Sequence, residues 1–506
     1  MLRALALLLA ARCVGSLSNV LLVLVDNLRP ALGAYGNAAV VTPVMDALAN
    51  ASTVFANANC QIAWCAPSRN SFLSGRRPQV TQAYNFLDSF REVGPEWVTL
   101  PGYFRSAGFY TTSVGKVFHP DLPPNYDANL SWSDAPVLPS KATCHGNMMC
   151  QLPPGAADAD AEAAEALIAR LAARPPAQPF FAALGFQGPR LPWSYTAAEA
   201  ARYPPAEDIP IAANSSAAAL PPLEYFRPTE VDAYADVRNV THDVPMPAAQ
   251  QHAARRAYYA TVSGVDTQLG RVLRWLDAAG LAGCTCVVLA GDHGQHLGEL
   301  NLWSMMATLD TATRVPLIVK AAGAISQTPV YEGPVELVDL YPTLAALAGL
   351  PPPPAEWALP GVDLSPALAG QQLAKDAAFS QITRCSNCTA AYAGDNNASQ
   401  CAWDAAADRA FTVPCCMAPR EGFDFMGLSV RTREWRYSVF CRWNGTLLAP
   451  DFGACSSEQL YDHRGEGALQ PLFRPDAECT NLAGSAIYAS VKEALHARVV
   501  EQFAAK

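Results

Sequence analysis

Cys65 opens the run Cys65-Ala66-Pro67-Ser68-Arg69, which continues through Leu73, Ser74, Gly75, Arg76 and Arg77. Pro67 predicts the start of a helix with Cys65 just before it. A group carried by Cys65 would then sit at a positive helix terminus, which favours a bound oxyanion. A buried or disulfide-bonded cysteine fits the same five residues equally well. Asp26 and Asp292 each end a continuous apolar run. Taken singly they read as a helix cap and a turn residue. Lys116 and His119, three residues apart, read alone as a solvated charge and a loop histidine.

The elements that carry these residues suggest more. Asn19 to Val25 and Cys284 to Ala290 are unbroken apolar runs, as expected of strands buried on both faces of a parallel sheet. A helical pattern from Ala253 to Ala279, closed by Gly280, precedes the second run, which makes half of an α/β unit. Ligands in open α/β sheets gather beyond the carboxyl ends of the strands, so Asp26 and Asp292 are expected to meet at one site. Further helices are predicted over Asp158 to Arg174 and Val338 to Leu347, the latter before a surface connection at Pro351 to Pro354. From about Phe379 cysteines, aromatics and short alternating segments such as Leu428 to Phe440 predict a smaller unit on an antiparallel sheet. These readings divide the chain into a signal peptide over 1–18, a main domain over 19–375 and a C-terminal subdomain over 376–506.

The chain has 506 residues, 51% hydrophobic and 16% charged, enough for a large core. Its net charge of −10, without clustered Lys and Arg, argues against a nucleic-acid partner. It does not exclude an anionic substrate, because a pocket can be locally positive in an acidic protein. Arg3, the apolar run Ala4 to Ala11 and the small residues Gly15, Ser16 and Ser18 read as a signal peptide, and no later stretch is long and apolar enough to span a membrane. Sequons at Asn50, Asn129, Asn214, Asn239, Asn387, Asn397 and Asn444 agree with a secretory route. So do the 15 cysteines, of which Cys385, Cys388, Cys401, Cys415, Cys416, Cys441, Cys455 and Cys479 crowd the last quarter. They read as disulfides formed in an oxidising compartment rather than as a zinc site, for which paired Cys-x-x-Cys clusters are lacking.

The segment from Cys65 to Arg69 with its trailing Leu73-Ser74-Gly75 resembles the signature of the sulfatase family. Asp26-Asn27-Leu28-Arg29-Pro30, Gly115-Lys116-Val117-Phe118-His119-Pro120, Gly291-Asp292-His293-Gly294 and Arg314-Val315-Pro316-Leu317-Ile318 follow in that family's order. Met426 to Thr432, Leu460-Tyr461-Asp462 and Asn481-Leu482-Ala483 extend the likeness over nearly the whole chain, and it is strongest to the iduronate-sulfatase branch. The resemblance implies an α/β, alkaline-phosphatase-like sulfatase fold: a large, mostly parallel central sheet flanked by helices, and a smaller C-terminal α+β subdomain containing an antiparallel sheet. It implies conversion of Cys65 to formylglycine by the formylglycine-generating enzyme during maturation. A Ca2+ ion would be held by Asp26, Asn27, the modified Cys65, Asp292 and His293. Arg69 would fix the geometry of the formylglycine, Lys116 would contact sulfate and hydrate, and His119 would orient or deprotonate the hydrate.

Three positions depart from the family. Asn27 stands for a second aspartate, which removes one ligand charge. Gln187, in Gly185-Phe186-Gln187-Gly188-Pro189, stands for a histidine that protonates the leaving oxygen, which a glutamine cannot do. Met305 stands where a sulfate-binding lysine is expected. Arg190 and His296 are the candidate substitutes for binding substrate. The expected function is calcium-dependent removal of sulfate from a sulfated sugar or glycosaminoglycan-type polysaccharide, in a secreted or lysosomal enzyme. Two alternatives are a weakened sulfatase fold that binds sulfated glycans without cleaving them, and a phosphoester or phosphonate hydrolase of the same superfold.

Overall fold

A computed structural model describes residues 17–140, 144–212, 216–226, 229–232, 234–237, 240–241, 244–323, 326–385, 415, 418–467, 469 and 478–504. The apolar run of the signal-peptide reading, the sequons at Asn214, Asn239, Asn387 and Asn397, and Cys388, Cys401 and Cys416 lie outside the described residues. The remaining sequon asparagines, Asn50, Asn129 and Asn444, are exposed.

The centre of the molecule is an eight-stranded sheet. Strand β1 (Asn19–Val25) has every residue buried, because it pairs in parallel with a strand on each side and is covered on both faces. The strands concerned here are β2 (Thr53–Asn59), β3 (Tyr110–Gly115), β4 (Phe180–Phe186), β5 (Thr285–Gly291), β6 (Arg314–Val315), β7 (Leu317–Lys320) and β8 (Val330–Glu336). β1 lies between β4 and β5, and β3 pairs in parallel with β4. β7 runs antiparallel between β5 and β2, β6 continues along β2, and β8 adds a parallel strand to β2.

The pleat of β1 divides the core in two. Val20, Leu22 and Leu24 pack with α1 (Cys65–Ser74) on one face through Phe72 and Leu73. Leu21, Val23 and Val25 pack on the other with α2 (Ala159–Ala173) and α3 (Ala248–Ala278) through Leu167, Leu171, Val262 and Leu269. A strand with helices on both faces has no polar side, which is why the run carries no alternation. The long helix begins five residues before the expected Ala253 and ends at Ala278, with Gly280 at φ 69 breaking it. The predicted helix from Val338 is a 3-10 turn (Leu337–Asp339) followed by α4 (Leu340–Leu347), and Asp339 closes a capping box with Glu336 at that junction.

In the last quarter β9 (Ala378–Arg384), β10 (Phe425–Arg431), β11 (Trp435–Asn444) and β12 (Ala449–Asp462) form an antiparallel sheet in that order. Met426, Leu428, Val430, Tyr437 and Val439 pack against Leu495, Val499 and Phe503 of α5 (Ala489–Ala504). Buried ion pairs lock this sheet to the main body: Arg436 engages Asp310 and reaches Glu478 at 2.8 Å, and Arg431 meets Asp310 at 3.2 Å. Disulfides join Cys144 to Cys150, Cys385 to Cys415 and Cys441 to Cys455.

Candidate active site

The chain leaves β1 and β5 at the same end of the sheet, since the two strands are parallel and in register from Asn19–Thr285 to Val25–Gly291. Asp26 and Asp292 follow immediately, so the pairing delivers both carboxylates to one place, as the sequence leads one to expect. The approach is tight. A Cβ at Gly291 would stand 2.4 Å from the Leu28 carbonyl oxygen, and one at Gly185, where β4 ends, 2.1 Å from the Lys116 carbonyl, so only glycine fits either place. Asn27 turns the chain out of β1 at φ 60, a left-handed conformation that asparagine tolerates better than most residues.

α1 brings the third component. Trp64, extended at φ −159, is the N-cap, so Cys65 is the first helical residue and Pro67 the third; the expectation that Cys65 precedes the helix is corrected by two residues. Proline is accommodated there because the first four helical N–H groups have no intrahelical acceptor in any case. Cys65 is fully buried and its thiol is free, so it is not part of a disulfide. Its Sγ lies 3.1 Å from His293 Nε2. The other ring nitrogen of that histidine, Nδ1, faces the Gly294 carbonyl at 2.9 Å, which assigns the Nδ1–H and directs Nε2 at the sulfur. Burial pushes His293 down, but Asp292, Cys65 and Asp26 outweigh it and raise it to about 9.

Arg69, one helical turn beyond Cys65, is the keystone of the charges. Its Nε donates to Asp292 Oδ2 and its Nη2 to Asp26 Oδ1, each at 2.9 Å, and its Nη1 donates to the carbonyls of Lys116 and Val117. All three side chains are shielded from solvent. Lys116 Nζ takes the other oxygen of Asp26. Burial alone would raise Asp26, but Lys116 and then Arg69 hold its carboxyl well below the usual range. Burial and the neighbouring Asp26 leave Asp292 raised despite Arg69. One ligand atom each from Asp26, Cys65, Asp292 and His293 fall within 4.8 Å of one another. With the Asn27 carboxamide oxygen, 3.9 Å from Cys65 Sγ, the two carboxylates form the oxygen-rich donor set that a hard divalent cation requires.

A cleft of about 420 Å3 adjoins this cluster through Lys116 and Arg190, which both reach Asp26, and is lined also by Phe86, His119, Tyr126 and Gln187 among others. His119 stacks on Phe86 with ring centroids 4.7 Å apart, and its Nδ1 meets the Pro120 carbonyl at 3.2 Å. Burial, Lys116 and Arg190 depress it well below its usual value, so the ring stays neutral. Arg190 spans from Asp26 (3.8 Å) to Glu230 (3.6 Å), which puts a cation at the cleft. His296 is placed otherwise: its Nδ1 engages Thr311 at 2.8 Å, its ring faces Phe226, and burial depresses it to about 3. None of those contacts is with the cluster.

Three contributors were not singled out from sequence. Asp160, near the start of α2, accepts from the backbone N–H of Gln187 (2.7 Å) and Gly188 (2.9 Å) and so fixes the loop that presents Gln187 to the cleft. Gln295 accepts from Asn27 Nδ2 at 2.6 Å, and Glu230 pairs with Arg190. Asp160 carries a faint local signal, two residues after the helix-capping Asp158. The other two have none, because their partners are more than 200 and about 40 residues away.

The sulfatase family model matches residues 18–350. Human iduronate 2-sulfatase is 33% identical over 494 residues, which covers 88% of each chain. Among solved structures, a phosphonate monoester hydrolase of Agrobacterium radiobacter superposes with a TM-score of 0.70 at 20% identity, covering 96% of this chain and 95% of that one. A 2-O GAG sulfatase superposes with a TM-score of 0.67 at 20% identity, covering 96% and 91%. These last two speak for the fold alone, an alkaline-phosphatase-like α/β architecture with a C-terminal antiparallel sheet. The match over most of the chain, with a cysteine, two aspartates and an arginine meeting where the strands end, makes this protein a hydrolase that belongs to the sulfatase family.

Proposed function

We propose that the protein removes sulfate from a sulfated sugar or glycosaminoglycan-type polysaccharide, using Cys65 after its conversion to formylglycine by the formylglycine-generating enzyme. The observation that carries this reading is Cys65 itself: a free, buried thiol on the first turn of α1, 3.1 Å from His293 Nε2 and beside the Arg69-bridged pair Asp26 and Asp292, with Lys116 and Arg190, the partners of Asp26, lining the adjoining cleft. The 33% identity to iduronate 2-sulfatase supports a sugar sulfate as substrate.

In the hydrated formylglycine one hydroxyl would lose its proton and attack sulfur, breaking the bond from sulfur to the sugar oxygen, which would leave as the alcohol with a proton from water; the second hydroxyl would then lose its proton as the aldehyde re-forms and the carbon–oxygen bond to sulfate breaks. A calcium ion held by Asp26, Asp292 and the Asn27 oxygen, with His293 alongside, would polarise a sulfate oxygen and favour the charged nucleophile. The chain's own groups do the rest. Arg69 holds both aspartates in register. Lys116 and Arg190 attract the anionic ester into the cleft. His119, neutral and with Nδ1 occupied, offers Nε2 to accept a proton. Gln187 donates a hydrogen bond to the ester but transfers no proton to the leaving oxygen. The disulfides and exposed sequons among the described residues support maturation in the secretory pathway and a secreted or lysosomal destination. Among the described residues no helix is long and apolar enough to cross a membrane.

The test is expression in a eukaryotic secretory host, peptide mass spectrometry at Cys65, and assay of aryl, uronate and phosphonate esters with and without calcium. Formylglycine with calcium-dependent sulfate release, lost in Cys65→Ala, is the expected result. Full conversion with binding but no hydrolysis of sulfated glycans would replace catalysis by glycan binding, and preference for the phosphonate would move the substrate class.

A further inference from the structure

Asn27 and Met305 change the site together. The carboxylate that the family places at position 27 is a neutral amide here, and the expected lysine is a buried thioether whose Sδ lies 3.8 Å from Asn27 Nδ2. One negative and one positive charge are thus both missing, and the Asn27 amide is held by a third residue. Gln295, fully buried, accepts from Asn27 Nδ2 through Oε1 at 2.6 Å, while its backbone carbonyl accepts from Arg29 at 3.1 Å. Its own Nε2 is buried with no hydrogen-bond partner among the described residues.

We propose that Gln295 is a positioning residue that turns the Asn27 carboxamide so that its oxygen faces Cys65 and the bound cation, and that Gln295 Nε2 is the neutral donor offered to a ligand oxygen there. This rests on the function proposed above. A carboxylate has two oxygens and presents one whichever way it is turned. A carboxamide has a single oxygen, and turned over it would aim N–H groups at a cation. Asn27 is therefore a ligand only if something fixes its amide, and the 2.6 Å bond from Nδ2 to Gln295 does so on the side away from Cys65. The buried, unpartnered Nε2 is costly unless a ligand takes it up, and an anionic oxygen is the acceptor such a donor suits.

A double-mutant cycle in calcium affinity, measured by titration calorimetry on the full chain, tests this. Gln295→Leu is expected to weaken calcium binding roughly five-fold, the size of one net hydrogen bond. In the Asn27→Asp background the same change is expected to alter affinity by less than about two-fold, because the carboxylate no longer needs orienting. Gln295→Glu keeps the acceptor and is expected to hold calcium at least as tightly as the parent, while binding of inorganic sulfate to the calcium-loaded protein weakens because the Nε2 donor is gone. Unfolding midpoints in EDTA accompany each variant. Equal losses from Gln295→Leu in both backgrounds, or none in either, would overturn the inference while leaving the metal site standing. Absence of calcium binding by the parent chain would remove the metal reading of the proposed function and this inference with it.

Discussion

Replacement of Arg69 by Met tests whether the paired aspartates are held by charge or merely packed. The guanidinium is the shared partner of Asp26 and Asp292, all three are shielded from solvent, and it also caps the carbonyls of Lys116 and Val117. Methionine keeps much of the length and removes the charge and all the donors. Removing one member of a buried pair costs about 3–5 kcal/mol, because the remaining charge stays buried without compensation. Asp26 retains Lys116, whereas among the described residues Asp292 keeps as a cationic partner only the more distant His293 ring at 3.4 Å, so the larger share falls on Asp292. We therefore expect a loss of roughly 4 kcal/mol at pH 7, read as a lower urea midpoint by tryptophan fluorescence in EDTA. The pH dependence gives the sign. In the parent, Asp26 is held below its unfolded value, so its contribution is present at neutral pH and fades as pH falls through the folded value. In the variant Asp292, already raised by burial and Asp26, rises further; a carboxyl that binds its proton more tightly folded than unfolded gains stability as pH falls. The deficit should narrow between pH 7 and pH 5. A deficit below about 1 kcal/mol, the ordinary size of a point mutation, or one of equal size at both pH values, would refute the electrostatic account.

Three further outcomes follow from the cleft. Lys116→Met removes the cation that, after burial, depresses His119, so the His119 value rises; the acid limb of the pH–rate profile should lie at higher pH than in the parent. Gln187→His restores a proton donor at the leaving oxygen, and sugar sulfates, with their basic leaving alcohols, should be cleaved up to ~10²-fold faster while aryl sulfates change little. Asp160→Ala leaves the N–H groups of Gln187 and Gly188 without their acceptor; stability should fall by about 2–4 kcal/mol in urea, with a raised KM for sulfated substrate.

Much of this protein is determined by the sequence alone, because local pattern and strand adjacency carry the information. The unbroken apolar runs ending at Asp26 and Asp292 identify two central parallel strands, and parallel strands in register must deliver their following residues to the same edge. Pro67 marks a helix that carries Arg69, but the sequence places Cys65 just before that helix, and only the structure puts Cys65 on its first turn, one turn from Arg69. Tertiary structure alone decides what those charges mean. Nothing local says that Arg69 bridges both aspartates, that His293 directs Nε2 at Cys65, or that His296, three residues later, turns instead to Thr311. Nor does sequence pair Asn27 with Gln295 or Gln187 with Asp160, since each contact reaches a loop whose conformation is set by packing rather than by period. Spacing specifies which groups arrive at the end of the sheet; the direction in which each side chain then points depends on neighbours hundreds of residues away, and that direction decides the chemistry.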